Sequence, residues 1–538
     1  MAGSLRQELL ALHQKLFRQN QRFIAESILV QETGFQRYEK AYKRHVSKYQ
    51  KVSSHAEMLQ ATASADIIFV GDYHTCNQSQ RSFLRLLRET VKEKKKPLVA
   101  LELIHKKYQN VLDDFIAGKI DEEQFVRKTR LKEHWIFDLW QNFKPIFDFC
   151  RYHKIPIKAI DAAALGSNVR ERDTASGRLI AELAKNFPHR RIFVFIGDLH
   201  IAPEHLPRET AQALDLLEIE RSQLILYQNS EEIYWSLAAK KMDEKVEVVK
   251  IDAQSFCRMH TPPLVCQRSY MNWLEHEEGE LDYDDAKHQF LELVRHITSF
   301  LRLPFSEDQA DEVEVFTAGD LSFLEQLKRT KHFSKSELDH IKQQVLSSES
   351  YYIAKAQVVY LANLSLNHAA EEAAHFIKHM LTGDEEPREL IDAFYANILH
   401  EALGFFGSKI INNKRKCFHK KDFAELLAYF ATVEVPPERK LEQEAAALVL
   451  QYLSYESEGN PLRYASIFKA RMDLFLAVTH ALGYMLGDVM YYGLLSKALS
   501  RKDLLELYTD AWRAEGEPYC VYWNLKQKLA KVKIPKRA

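Results

Sequence analysis

Between Ala65 and Ile251, short apolar runs alternate with longer amphipathic stretches, and no other feature of the chain limits its fold as much. The runs are Ile67-Ile68-Phe69-Val70, Leu98-Val99-Ala100-Leu101, residues 155–160, residues 192–196, Leu224-Ile225-Leu226-Tyr227 and residues 246–251. Each is too short for a helix and is nearly continuous in apolar residues, a pattern that suits strands covered on both faces. The stretches 78–94, 108–149 (with a break) and 173–186 carry helical spacing instead. Strand–helix alternation predicts an α/β fold, with a mostly parallel or mixed sheet flanked by helices and right-handed crossovers.

The chain has 538 residues, more than one core of ordinary size needs. Residues 1–60 read as a helical lead-in, with Leu9, Leu10, Leu12, Leu16 and Phe17 at helical spacing and a later part rich in Lys, Arg, Tyr and Gln. Residues 61–281 hold the strands. From 282 to 538 the pattern turns helical, over 286–301, 336–348, 350–381, 389–406, 421–431, 441–452, 471–498 and 502–514. Pro304, Pro387, Pro436-Pro437 and Pro461 punctuate these segments, so a separate all-α domain is expected here.

Charge excludes some partners. Lys plus Arg number 74 and Asp plus Glu number 75, which gives no general attraction to nucleic acid or an anionic membrane. The basic runs at 92–96 and 414–416 read as solvated helix ends or turns. The six cysteines are scattered without a Cys-x-x-Cys pair and read as reduced thiols. The first residues lack the apolar core of a signal peptide, and no uninterrupted apolar run reaches about 18 residues. A cytoplasmic protein without a membrane span is therefore expected.

One motif occurs twice. Ile68-Phe69-Val70 runs into Gly71-Asp72-Tyr73-His74, and Val194-Phe195-Ile196 runs into Gly197-Asp198-Leu199-His200. In extended backbone, residues two apart point to the same side, so each Asp and its His should project together. Both pairs fall at the carboxyl end of a strand, the edge where parallel α/β sheets bind ligands. Glu102 and Asp161 end two further strands at the same edge. If the strands are neighbours, His74, His200, Asp72, Asp198 and Glu102 form a crevice of imidazoles and carboxylates. Such a set suits a divalent metal ion, with His74, His200 and Glu102 as ligands, or an imidazole base oriented by an acid.

The order of these elements over roughly residues 60–270 resembles the ChaN-like haem-binding family, part of a superfamily with erythromycin-esterase-like and TIKI-type proteins. The first motif departs from the family pattern in carrying Asp72 where Glu is usual. Glu102 after the second strand, the Trp-bearing insertion from Tyr108 through Trp135 and Trp140, the Arg172-Asp173 element, the second Gly-x-x-His and His205-Leu206-Pro207 all correspond. The resemblance implies haem held by a tyrosine in some relatives and metal-dependent or esterase-like hydrolysis in others. It makes Tyr73, Glu102, Asp161 and Asp173 the expected cofactor contacts, beside the catalytic candidates His74, His200, Asp72 and Asp198.

In the helical region, His368, Glu372, His375 and His379 share one face at spacings of three and four. Glu372 and His375 have the Glu-x-x-His spacing of di-iron bundles, for which Glu337 and His340 offer a second copy. A polar face is the preferred reading. Near His400 and His480, Gly404, Gly407, Gly483 and Gly487 predict close helix packing around satisfied core histidines. No Gly-x-Gly-x-x-Gly, Walker loop or Gly-x-Ser-x-Gly elbow is present. The expected function is haem or metal-ion binding at the strand-end crevice, in haem or iron handling. The alternatives are a metal-dependent hydrolase, or a non-catalytic scaffold. The expected ligand is a small molecule, and a protein partner or a second copy of the chain would use the helical region.

Overall fold

The computed structural model describes residues 4–27, 33–131, 140–162, 167–277, 283–306, 310, 312–317, 320–330, 332–346, 350–362, 365–383, 388–459 and 471–535. Trp135, Pro387, Pro461 and the expected junction at 281/282 lie outside them. The chain forms two compact units, Leu16–Leu281 with Pro535–Ala538, and Met1–Lys15 with Asp282–Ile534.

The first unit is built on eight strands: β1 (Lys51–Ser53), β2 (Ile67–Asp72), β3 (Pro97–His105), β4 (Ile157–Asp161), β5 (Arg191–Gly197), β6 (Gln223–Gln228), β7 (Val248–Lys250) and β8 (Ser255–Arg258). Their order across the sheet is β1-β7-β8-β6-β2-β5-β3-β4. The six from β8 to β4 run parallel, while β7 is antiparallel to both β8 and β1. All six apolar runs of the sequence fall on strands. β1 and β8 were not foreseen, because each has only three or four residues and neither is apolar throughout.

Every residue of β2 and β5 is buried. The sheet has helices on its faces, so Ile68 and Phe193 need apolar neighbours as much as the residues that alternate with them. Phe83, from the helix Asn77–Thr90, stacks on Phe195 with ring centroids 4.2 Å apart. The chain leaves β2 for β3 and β4, returns to place β5 between β2 and β3, and then adds β6 on the other side of β2. This return sets the two motif strands side by side, with Asp72 opposite Gly197 and Gly71 opposite Ile196.

The second unit is mainly helical, with one addition. Residues 351–361, expected within a helix, form β10 (Tyr351–Ile353) and β11 (Val358–Leu361), which join β9 (Glu314–Thr317) in a three-stranded sheet. The β-branched and aromatic residues of Tyr351-Tyr352-Ile353 and Val358-Val359-Tyr360 favour strands over helix, and the helix begins only at Leu366. The helix Met472–Leu495 is long and apolar enough to cross a membrane by length and composition, but its apolar window is 61% buried inside the unit. That burial is the mark of a core helix.

Gly71 has no room for a side chain. A Cβ there would lie 1.8 Å from Asp198 Oδ1 and 3.0 Å from the Ile201 side chain. Gly71→Ala is therefore expected to destabilise the α/β unit by about 1–3 kcal/mol, the usual range for overpacking. Chemical denaturation checks this, and an unchanged midpoint would rule out so tight a contact.

Candidate functional site

β2 ends at Asp72 and His74 lies in the turn that follows, and the two side chains still meet on one side. The His74 Nδ1 lies 2.7 Å from Asp72 Oδ2, and Gln80 Nε2 donates to the other carboxylate oxygen at 2.5 Å. The Asp72 side chain is 1% exposed and that of His74 31%, so the imidazole stands over its acid and faces the crevice.

The second motif behaves differently. β5 ends at Gly197, and Asp198–Ile201 turn at once into a 3-10 helix. Extended alternation stops there, and Asp198 and His200 diverge. Asp198 packs under Gly71 and accepts from the Tyr42 hydroxyl. Its Oδ1 is buried without a hydrogen-bond partner among the described residues. Burial pushes its carboxyl up to about 8, so it is largely protonated at neutral pH.

His200 finds its acid elsewhere. Asn168 and Glu171 form a capping box that starts the helix Val169–Asn186. The following residues bring Arg172 and Asp173 to the strand ends. His200 Nδ1 lies 2.6 Å from Asp173 Oδ1, and Tyr38 donates its hydroxyl to Asp173 Oδ2 at 2.7 Å. Tyr38 is fully buried and stacks on His205, ring centroids 3.6 Å apart.

Glu102 sits between the two imidazoles. The pairing of β3 with β4 shifts register between Leu101 and His105, and an irregularity of this kind re-aims a side chain. Glu102 Oε2 accepts from the Gly197 amide at 2.8 Å, and Oε1 accepts from Arg172 at 2.7 Å. His74 Nε2 lies 3.9 Å from Oε2, and His200 Nε2 lies 3.9 Å from Oε1. Asp161, at the end of β4, stands 3.8 Å from the Arg172 guanidinium.

Electrostatics follow from this packing. Burial alone would raise Glu102, but His200, His74 and Arg172, with the Gly197 amide, hold it below the ordinary carboxylate range. Burial works against protonation of His74. The bond to Asp72 outweighs it, and the pKa of His74 is raised.

The structure thus gathers Asp72, His74, Glu102, Asp173 and His200, with Asp161 at the rim. Two expected residues stand apart. Asp198 lies under Gly71, and Tyr73 turns toward Cys76, Cys266 and Tyr270.

Residues 58–191 match the ChaN family model. Its description is "Haem-binding uptake, Tiki superfamily, ChaN". The matched ChaN segment takes in β2, β3 and β4 with their strand-end acids, and stops at the first residue of β5. Among solved structures, the chain is similar to one described as "Cofacial heme binding to ChaN of Campylobacter jejuni", at 14% identity over 33% of this chain and 87% of that one, with a TM-score of 0.25. It is similar also to the type III effector HopBA1, at 11% identity over 34% of this chain and 87% of that one, with a TM-score of 0.24. No curated protein matches.

Two contributors to the ChaN-like site escape sequence reasoning. Tyr38 belongs to the stretch read as a helical lead-in, and only the richness of that stretch in tyrosine hints at a role. Arg172 was read with Asp173 as a helix-start element, and its pairing with Glu102, 70 residues earlier, has no local signature.

Asp72→Asn is expected to lower the pKa of His74, which histidine-selective NMR titration reads directly. The sign for stability follows. A raised imidazole pKa contributes stability that is fully present below the ordinary value of about 6.5 and is lost as pH rises through the folded value. The variant should therefore fall furthest behind the parent in mildly acidic buffer. A His74 titration unchanged in the variant would dismiss the dyad.

Proposed function

We propose that the ChaN-like crevice is a hydrolytic centre working by imidazole acid–base chemistry. One observation carries this reading. Two imidazoles, each held through Nδ1 by its own buried carboxylate, present Nε2 to opposite oxygens of one glutamate at 3.9 Å. A carboxylate on Nδ1 fixes the tautomer and leaves Nε2 to exchange a proton with a ligand. His74, the more open of the two, is the base that takes a proton from water, and Asp72 stabilises the imidazolium formed. His74 then returns that proton to the leaving group, while His200, backed by Asp173 and Tyr38, positions the substrate. Glu102 orients both rings, and Arg172 supplies positive charge for a developing oxyanion. A small ester or amide that reaches the crevice is the substrate class this set would take.

The test is hydrolysis of a panel of p-nitrophenyl esters, lactones and peptides by the full chain and by His74→Ala, His200→Ala and Glu102→Gln. Loss of a positioned acid or base typically costs about 10²–10⁴ in rate, and each variant should fall by at least about 100-fold. A chain that turns over no member of the panel would overturn the reading, as would turnover that survives all three substitutions.

The description of the matching family favours a second reading, in which the crevice holds haem iron or a divalent ion. Both oxygens of Glu102 accept hydrogen bonds, one from a guanidinium, and the Nε2 atoms of His74 and His200 face them at 3.9 Å, so these three side chains would hold the metal. Two imidazole nitrogens suit iron or zinc, and the carboxylates on their Nδ1 atoms are the outer partners that metal-bound histidines commonly have. When bound, the iron would supply Lewis-acid or redox chemistry. Addition of haem should then give a shifted Soret band that His74→Ala or His200→Ala abolishes, and a spectrum identical to free haem would end this reading. All six cysteines are free thiols, which supports a reducing, cytoplasmic setting.

A further inference from the structure

The helical unit carries its own constellation of buried polar groups, drawn from three helices and a loop. Glu371 and His375 lie one turn apart on the helix Leu366–Thr382. Glu401 comes from Leu390–Ile411, and His480 and Tyr484 from Met472–Leu495. Arg415 reaches in from the segment that follows Ile411. One oxygen each of Glu371 and Glu401 and one ring nitrogen of His375 lie within 4.8 Å of one another.

These are not the residues the helical spacing suggested. Glu372 turns away and accepts from the Tyr352 backbone amide, so the pair that meets is Glu371 with His375, at a spacing of four. The side chain of His340 lies outside the described residues. The partners are instead Glu401 and His480, on the two helices whose glycines were read as packing signals. Those glycines do pack closely. A Cβ on Gly483 would lie 2.3 Å from Glu401 Cβ, and one on Gly404 would lie 2.4 Å from His375 Nε2. His480 is not a core histidine. Its side chain is 50% exposed and its Nδ1 lies 2.9 Å from Glu401 Oε2.

We propose that Glu371, His375 and Glu401 bind one first-row divalent metal ion in the helical unit. Three observations support this site. The donors are two carboxylates and an imidazole, a set that suits zinc, manganese or ferrous iron. Their spread matches an ion with bonds of about 2.0–2.2 Å, whose opposite ligands stand up to about 4.4 Å apart, so a shift of a few tenths of an ångström closes the set. The His375 ring has no hydrogen-bond partner among the described residues, although it fills the notch left by Gly404 and faces both acids. The remaining groups act from behind. Arg415 donates to Glu371 Oε2 at 2.7 Å and to the Tyr484 hydroxyl at 2.9 Å, and Tyr484 is itself hydrogen-bonded to Glu371, so this carboxylate is held from behind while it faces His375. His480 orients Glu401 in the same way. Its exposure marks the open side of the cluster.

A neighbouring trio, Cys417, His419 and Asp488, is not assigned an ion. Asp488 is already engaged by Lys409 and His419, and burial holds the Cys417 thiol up at about 12.

The test uses the full-length chain with His74→Ala and His200→Ala, which removes the imidazoles of the α/β crevice. The chelator-stripped protein is titrated with Co²⁺, read by its visible d–d absorption and by metal analysis after desalting. One Co²⁺ per chain is expected. Adding His375→Ala or Glu401→Gln should weaken binding by more than about 100-fold, and His480→Gln by about 10–100-fold, the usual cost of losing an outer-shell partner. Glu401→Gln preserves shape, so it decides the matter if His375→Ala fails to fold. The proposal is overturned if the double-alanine protein gives no Co²⁺ spectrum, or if the spectrum survives both His375→Ala and Glu401→Gln. Neither result bears on the hydrolytic reading of the crevice, whose imidazoles this protein lacks.

Discussion

Asp72 stands beside Gly197 because β2 and β5 pair in parallel and in register, and the α/β site depends on that pairing. A slip by one residue would reverse every side chain in one strand relative to its neighbour. Burial on both faces gives the strands their cohesion. Phe69 and Val194, or Val70 and Phe195, lie side by side with almost no exposure. The opposite edge of the sheet is pinned as well. Arg191, 2% exposed at the start of β5, donates to the Ala65 and Ala63 carbonyls and pairs with Glu93. With its start and register fixed, the strand has to deliver Gly197 to Glu102.

Buried charge makes the arrangement specific. Asp72, Glu102 and Asp173 are all buried, and an ionised carboxylate taken out of water costs several kcal/mol unless it is partnered. Each therefore needs donors that come from elsewhere in the chain. Asp72 has His74 and Gln80, Glu102 has Arg172 and the Gly197 amide, and Asp173 has His200 and Tyr38. Satisfying one acid positions a group needed by the next, and the two imidazoles end up facing the same glutamate. Asp198 marks the contrast. With one oxygen bonded and the other orphaned, it is most stable as a neutral acid, so it belongs to the wall beneath the site.

This division explains what could be read from the residues alone. The strands were legible because Ile67-Ile68-Phe69-Val70 and most of its counterparts are apolar at nearly every position, which a sheet covered on both faces rewards. The first dyad followed from the period of two of extended backbone, although the strand ends at Asp72 and His74 sits in the turn just beyond it. The same argument misplaced Asp198, since a 3-10 turn begins at that residue and its start has no proline or glycine beyond Gly197 to betray it. Asp173 reached the right neighbourhood through family likeness, while its role as partner of His200 depends on how the Val169–Asn186 helix meets β5. In the helical unit, a period of 3.6 places Glu371 and Glu372 about equally well against His375. Which of the two faces inward depends on neighbours such as Tyr352, more than ten residues away.

The two polar clusters differ in one respect that separates their chemistry. In the crevice, both oxygens of the central acid are occupied, one by a guanidinium, and each imidazole is already oriented by a carboxylate. A charge of either sign introduced there meets acids whose oxygens already accept hydrogen bonds. In the helical cluster Arg415 and Tyr484 hold Glu371 from behind, and a His375 ring nitrogen lies within 4.8 Å of an oxygen of each of two carboxylates. That ring sits next to a glycine that makes room for it and interacts with both acids through charge. Two acids and an imidazole gathered in this way form a donor set that a divalent cation would complete.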